Sequence, residues 1–237
     1  MLALRYASGS DIGRRRAENQ DSVYASGRLL AVADGVGGNG HGDVASATVI
    51  NTISALDQSG PGPDPLGALA AAVDDASRRL KEMAAADPTL QRMGTTLTAL
   101  LWDGSRLALA HIGDSRGYML RDGMLYQITR DHTLVQTMVD DGRMTPEQAA
   151  THPRRSLLMR ALETTSAAKP DLSVRDVLRG DRYLLCSDGL TAVVSAEEIH
   201  DMLSTVPDPE TAVRRLIDLA NEGGGPDNIT CVVADVI

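Results

Sequence analysis

The chain has 237 residues, 43% of them hydrophobic, with a formal net charge of −9 and a pI near 5.0. That length holds one large domain or two small ones, and the acidity argues against a nucleic-acid surface as the main function, Arg14-Arg15-Arg16 being the obvious local exception. Phe is absent and aromatics are 3%, so Leu, Val, Ile, Ala and Met must fill the core.

Residues 2–8, 22–26 and 28–33 read as strands, the last wholly apolar and therefore buried. Residues 43–57 show helical spacing, with Asp43 near the start. Gly60 to Pro65 reads as a loop, and Asp64 is a fitting N-cap for a second helix over about 65–86. Strands follow over 95–102, 105–112, 116–121 and 124–128, with Asp103-Gly104 and Asp122-Gly123 suited to two-residue hairpins. Residues 132–151 look helical, broken by Gly142 and Pro146, with Gly142 capping the first part. Strands near 155–162, 171–177 and 182–187 precede helices at about 195–204 and 209–221 and a last strand over 229–235. Strand runs interleaved with paired helices favour a layered α+β domain over a doubly wound one.

Acids at the ends of the apolar runs carry the chemistry. Leu29 to Ala33 runs into Asp34-Gly35, Leu107 to Ile112 through Gly113 into Asp114, and Tyr183 to Cys186 through Ser187 into Asp188. Asp227 comes just before the run Ile229 to Val233. Antiparallel pairing would bring all four carboxylates to one sheet edge, an arrangement too costly without a cation. Oxygen-only ligands favour Mg²⁺ or Mn²⁺. Asp-Gly by itself says little here, since it recurs at 103, 122 and 141 in turns and a helix end.

Cys186 and Cys231 each lie inside an apolar strand and read as buried thiols, neither a disulfide framework nor a zinc site. The chain enters a strand-like run at once without a signal peptide, and no apolar run reaches the ~18 residues of a membrane span. The expected location is the cytosol, with a membrane anchor beyond Ile237 left open.

In order along the chain stand Arg16-x-x-Asn19-x-Asp21, Ala33-Asp34-Gly35-x-Gly37-Gly38, Gly94-Thr95-Thr96, Gly113-Asp114-Ser115-Arg116, Ser187-Asp188-Gly189-Leu190 and Gly224-Gly225-Pro226-Asp227-Asn228-Ile229-Thr230. This series resembles the metal-dependent Ser/Thr phosphatases of the type-2C (PPM) family, above all its single-domain bacterial members. It spans Arg16 to Thr230, nearly the whole chain. The resemblance implies a four-layer α-β-β-α sandwich, two antiparallel sheets flanked by helix pairs, as one catalytic domain over 1–237. A small mobile flap over about 131–165 would influence substrate choice. It implies two divalent ions, Mn²⁺ or Mg²⁺, with Asp34 bridging both, the Gly35 carbonyl on one, and Asp188 and Asp227 on the other. A third, weaker ion would sit on Asp114 and Asp188, Asp21 would act through metal-bound water, and Arg16 would grip the substrate phosphate. An Arg fork suits two phosphate oxygens in a way Lys does not. The implied reaction is hydrolysis of phosphoserine and phosphothreonine on proteins, Ser/Thr kinases among them, by a hydroxide activated between the two ions. The enzyme is expected to be monomeric, with no nucleic-acid or membrane partner.

The chain departs from the pattern in two places. Gln20 stands where many members have Glu, which predicts a modest change in metal affinity. Val36 stands where many eukaryotic members have a His serving as general acid; His41 on the same loop is an alternative, as is a metal-bound water. Within the flap, His132 and His152 read as structural or solvated, and Arg154 and Arg155 as contacts to acidic phosphoprotein or as solubilising charge.

Other chemistries fail on the residues. A cysteine phosphatase needs Cys-x5-Arg, but the matching positions are Ala192 and Ile237. No P-loop is present, and a nuclease would be expected to carry a basic, aromatic-bearing groove. The remaining rivals are a silent phosphoprotein-binding module, which would be expected to have lost one of Asp34, Asp188 and Asp227, all three present here, and a phosphatase dedicated to one client.

Overall fold

The computed structural model describes residues 2–37, 40–59 and 62–237; Gly38 of the glycine loop and Gly60-Pro61 of the expected 60–65 loop lie outside the described residues. Two antiparallel sheets stack face to face. One runs in the order β1 (Leu4–Asp11), β12 (Ile229–Val236), β11 (Arg182–Cys186), β7 (Arg116–Arg121), β8 (Met124–Gln127). The other runs β10 (Asp171–Asp176), β6 (Arg106–Ile112), β5 (Leu97–Trp102), β3 (Leu29–Val36), β4 (Gly94–Thr95), β9 (Leu162–Glu163), with β2 (Asp21–Ala25) also paired to β3.

The period-2 alternation of each strand sorts its side chains into layers. Leu30, Val32, Leu100, Leu109, Tyr183, Leu185 and Val232 point between the sheets and form the middle of the molecule. Their neighbours Leu29, Ala31, Ala99 and Ala110 point out to α1 (Gly42–Ser59) and α2 (Pro65–Ala86), which bring Val49, Ile53, Leu69, Val73 and Leu80. On the far side Leu184, Cys186, Cys231 and Val233 meet α6 (Ala196–Thr205) and α7 (Pro209–Glu222). The result is the four-layer α-β-β-α sandwich.

Local chemistry sets the helix ends. Asp64 accepts from Gly67 N–H at 2.9 Å with Pro65 in the first turn, Asp208 accepts from Thr211 N–H at 2.9 Å before Pro209, and Ser195 with Glu198 forms a capping box. On α7 the buried residues Ala212, Val213, Leu216 and Ala220 fall at helical spacing, so one stripe of the helix packs on the sheet. Both cysteines are free and buried, and they face each other across β11 and β12. Loss of hydration pushes the Cys186 thiol up to about 12, so it packs as a small apolar group.

Several expectations are corrected. The run 155–162 is not a strand: only Leu162–Glu163 pairs, and Leu158 makes a single bridge to Thr133. Leu157 and Met159 are exposed, so their apolarity does not mark a buried strand. The 132–151 stretch, by contrast, is broken as expected at Gly142 and Pro146, into α3 (Leu134–Asp140) and α4 (Pro146–Ala150), with Gly142 at φ +68° after the first. The 95–102 strand breaks at Thr96 into β4 and β5. Between β5 and β6 the last pair is Trp102 with Leu107, so the turn takes the four residues Asp103 to Arg106, closed by Asp103 N–H donating to Arg106 O at 3.1 Å while Asp103 Oδ1 accepts from the N–H groups of Ser105 and Arg106. The Asp122-Gly123 turn is the two-residue hairpin expected, with φ of 52° and 76°. A one-turn helix absent from the sequence reading, α5 (Asp188–Thr191), begins at Asp188. Among the described residues no helix is long and apolar enough to cross a membrane.

Candidate metal centre

The sandwich brings the predicted acids to one end. Asp34 lies inside β3 rather than at its end, directly across from Asp21 at the start of β2. Asp114 follows β6, Asp188 follows β11, and Asp227 precedes β12, which pairs antiparallel with β11. The acids act on one another. Burial, then the neighbouring charges of Asp21, Asp188, Asp114 and Asp227, raise the proton affinity of Asp34 well above the carboxylate range. Burial and Asp227 raise Asp188, and the neighbouring carboxyl of Asp34 partly offsets the rise. Burial and Asp188 push Asp114 to about 8, and burial is the largest cause of the rise of Asp21 to about 6.

Backbone and hydroxyl groups fix the cluster. Thr96 Oγ1 accepts from Asp34 N–H at 2.9 Å, while Thr95 Oγ1 and Thr96 N–H both donate to Asp34 O at 2.9 Å. Thus the break between β4 and β5 grips the backbone of Asp34. Ser187 Oγ donates to Asp21 Oδ2 at 2.7 Å. At Gly35 an added Cβ would lie 2.3 Å from the Gly42 carbonyl and 2.6 Å from Gln20 O, so only glycine fits between these two backbones.

Among the described residues Arg16 and Arg116 both act on the acids, Arg116 through Asp114 and Asp188. Arg16 Nη2 donates to Asp227 Oδ2 at 2.5 Å, and its charge also acts on Asp188 and Asp34. Its side chain is 55% exposed, so the guanidinium sits at the mouth of the site. Among the described residues, no three His, Cys, Asp or Glu side chains form a group able to hold a metal as they stand. The donor set nevertheless fits a hard divalent cation: every donor is oxygen, Asp21 Oδ1 is buried with no hydrogen-bond partner, and the excess negative charge shows in the raised proton affinities.

A cleft of about 400 Å³ opens beside the acids. It is lined by Asp114 and Asp188, by Val135 and Val139 of α3, by Pro146 of α4, and by Thr191 of α5. The 131–165 segment therefore forms one wall of it. That segment is anchored at its start, where Arg116 Nε donates to both oxygens of Asp131 at 3.0 Å and Nη2 to Oδ2 at 2.7 Å. His132 is buried and structural: its Nδ1 accepts from Gly113 N–H at 3.1 Å, so its Nε2–H faces Asp171 Oδ2 at 3.0 Å. It thereby holds the turn that carries Asp114. His152 Nδ1 accepts from Arg154 N–H at 3.1 Å. His41 lies at the entrance to α1, its carbonyl accepting from Ala45 N–H at 3.2 Å.

The sequence reading assigned no role to Asn228, Ser187, Thr96 or the Arg116–Asp131 pair. The signal available for Asn228, Ser187 and Arg116 was their place beside the acids of the quoted motifs and for Thr96 its place in Gly94-Thr95-Thr96, whereas Asp131 lies in none of these motifs.

Comparison with known proteins gives four findings. The family described as Protein phosphatase 2C matches residues 9–225. The serine/threonine protein phosphatase PstP of Mycobacterium tuberculosis is 56% identical over 236 residues, covering 100% of this chain; the chain spans 46% of that protein's length. A crystal structure of M. tuberculosis PstP superimposes with a TM-score of 0.95 at 55% identity, covering 98% of both chains. A catalytic-domain structure of PstP in complex with two manganese ions gives a TM-score of 0.94 at 53% identity, covering 100% of both.

Proposed function

The chain belongs to the protein phosphatase 2C family, and from that premise we propose that it is a metal-dependent protein phosphatase acting on phosphoserine and phosphothreonine. The observation that carries this reading is the meeting of Asp21, Asp34, Asp114, Asp188 and Asp227 at one end of the sandwich, with Arg16 at the mouth. The two manganese ions of the PstP catalytic domain point to the same ion class for this chain.

In this reading Asp34, the Gly35 carbonyl, Asp188 and Asp227 hold two divalent ions, Mn²⁺ or Mg²⁺, and Asp114 with Asp188 takes a third. Asp21 acts through water. When bound, such ions supply Lewis acidity and an activated water. The chain's own residues do the rest. Asp34 is fixed by Thr95 and Thr96 and cannot drift from the site. The Arg16 fork binds and orients the phosphoryl oxygens and offsets charge that develops on them. The 131–165 segment, as a flap, walls the cleft in which residues flanking the phosphoresidue would lie. Residues 1–237 would form one catalytic unit, monomeric and cytosolic, with phosphorylated proteins, including Ser/Thr kinases, as substrates.

Phosphate release from a phosphothreonine peptide tests the reading: it is expected with Mn²⁺ and not after chelation. No release under any divalent metal would favour the phosphoprotein-binding alternative. Arg16→Ala is expected to raise KM about tenfold or more, with a smaller fall in kcat. An unchanged KM would make Arg16 a partner of Asp227 only.

A further inference from the structure

Arg16 sits on a loop with no regular structure of its own between β1 and β2, yet a phosphate-binding fork must be held in one place. The loop's attachments converge on one side chain. Asn228 Nδ2 donates to Ile12 O at 3.0 Å and to Glu18 O at 2.9 Å, and Asn228 Oδ1 accepts from Gln20 N–H at 2.9 Å. Asn228 is 5% exposed. Ile12 and Glu18 bracket Arg16, while Gln20 precedes Asp21, so a single amide fixes both ends of the loop. We propose that Asn228 is a positioning residue that sets the Arg16 guanidinium for phosphate by clamping loop 12–20 onto the start of β12. This rests on the reading of Arg16 as the phosphate-binding group.

The chemistry of the amide explains the residue type. Two carbonyls and one N–H must be satisfied from one buried position, and a carboxamide offers donors and an acceptor together. Aspartate has no donor for Ile12 O and Glu18 O, and alanine would leave all three backbone groups unpaired. A second clamp serves the same loop. Asp11 Oδ1 accepts from Gly13 N–H at 2.8 Å and from Asn221 Nδ2 at 3.1 Å, while Arg14 N–H donates to Gly225 O at 2.8 Å. Gly13 has φ +80° and an added Cβ there would lie 2.2 Å from Asp227 O, so this backbone is seated directly against the segment that carries Asn228.

The experiment compares wild type, Asn228→Ala, Asn228→Asp and Asp11→Ala with a phosphothreonine peptide, using inorganic phosphate as a competitive inhibitor. The Asn228 variants are expected to raise KM and the phosphate inhibition constant together, about tenfold. The Mn²⁺ concentration for half-maximal rate should move less than twofold. In an Arg16→Ala background the Asn228 effect should largely vanish, because both changes remove the same contact. Asp11→Ala removes the side-chain part of the second clamp, its bonds to Gly13 N–H and Asn221 Nδ2, and must move KM and phosphate inhibition in the same direction; it serves as the test if the Asn228 variants do not fold. Wild-type KM and phosphate inhibition in a folded variant, or an undiminished effect in the Arg16→Ala background, would overturn the proposal while leaving the phosphatase reading intact. Absence of turnover by wild type would overturn both.

Discussion

Replacing Asp188 with alanine is expected to lower Mn²⁺-dependent phosphate release by on the order of 10³-fold or more, with little change in thermal stability of the metal-free protein. The loss follows from position. Asp188 lies between Asp227, Asp34 and Asp114, and it lines the cleft beside the flap segment. Without it, both the pair of sites proposed for catalysis and the third site lose a shared oxygen ligand, and charge stabilisation of this kind is commonly the largest single contribution to such a reaction. The small stability change follows from electrostatics. Burial and Asp227 raise the proton affinity of Asp188, so its charge is unfavourable in the folded chain before any cation binds. Removing it relieves repulsion. Against this stands its place in the first turn of α5, where a carboxylate gains about 0.3–1 kcal/mol from the helix dipole. Asp188→Asn keeps the volume and should behave in the same way. Activity within tenfold of wild type in either variant, at saturating Mn²⁺, would take Asp188 out of the ligand set.

The acids could be read from the sequence because each interrupts or abuts an apolar run. Leu29 to Ala33 announces a buried strand, and a carboxylate beyond it must be compensated. The layer order was also visible, since period-2 strands and spaced helices specify which faces must be covered. The misreadings have physical causes. The residues from Ser156 to Leu162 are apolar enough to resemble a strand, but within the 131–165 segment Leu157 and Met159 are exposed. The helix at Asp188 is one turn long and leaves no periodicity to detect. The positioning groups stand in or near the motifs, but their partners were hidden for another reason. Asn228 reaches Gln20 across 208 residues and Ser187 reaches Asp21 across 166, and such contacts leave no local pattern. Arg116 and Asp131 are only 15 apart, yet their pairing depends on where β7 lies relative to the flap.

The second large effect concerns the metal-free protein, which is expected to lose stability as pH rises from about 6.5 to 8.5 and to recover it when Mn²⁺ is added. An acid whose proton affinity is higher in the folded chain binds more protons there than in the unfolded chain, so raising the pH disfavours folding across the interval between the two values. For Asp21 that interval runs from the ordinary carboxylate value of about 4 to about 6, and for Asp114 to about 8; Asp34 is raised in the same direction. The buried histidines act oppositely at lower pH. Burial lowers His111 to about 4, and burial also lowers His132, so both add stability as the pH rises toward 6.5. Above that pH their contribution is complete, and the slope is set by the acids together with His200, which its bonds to Gly123 O and Asp201 hold above the ordinary imidazole value and which therefore acts in the same direction. Divalent ions bind the deprotonated carboxylates, so their stabilisation grows with pH. At a hundredfold excess over Kd one site contributes about 2.7 kcal/mol, which for a chain of this length raises Tm by roughly 5–10 °C. The measurement is Tm against pH with chelator and with Mn²⁺, in wild type and Asp114→Asn. In chelator the wild-type Tm should fall through this window, and the fall should be shallower in Asp114→Asn. A flat wild-type profile with chelator, or one unmoved by Mn²⁺, would mean that the acid cluster is neither strained nor a cation site.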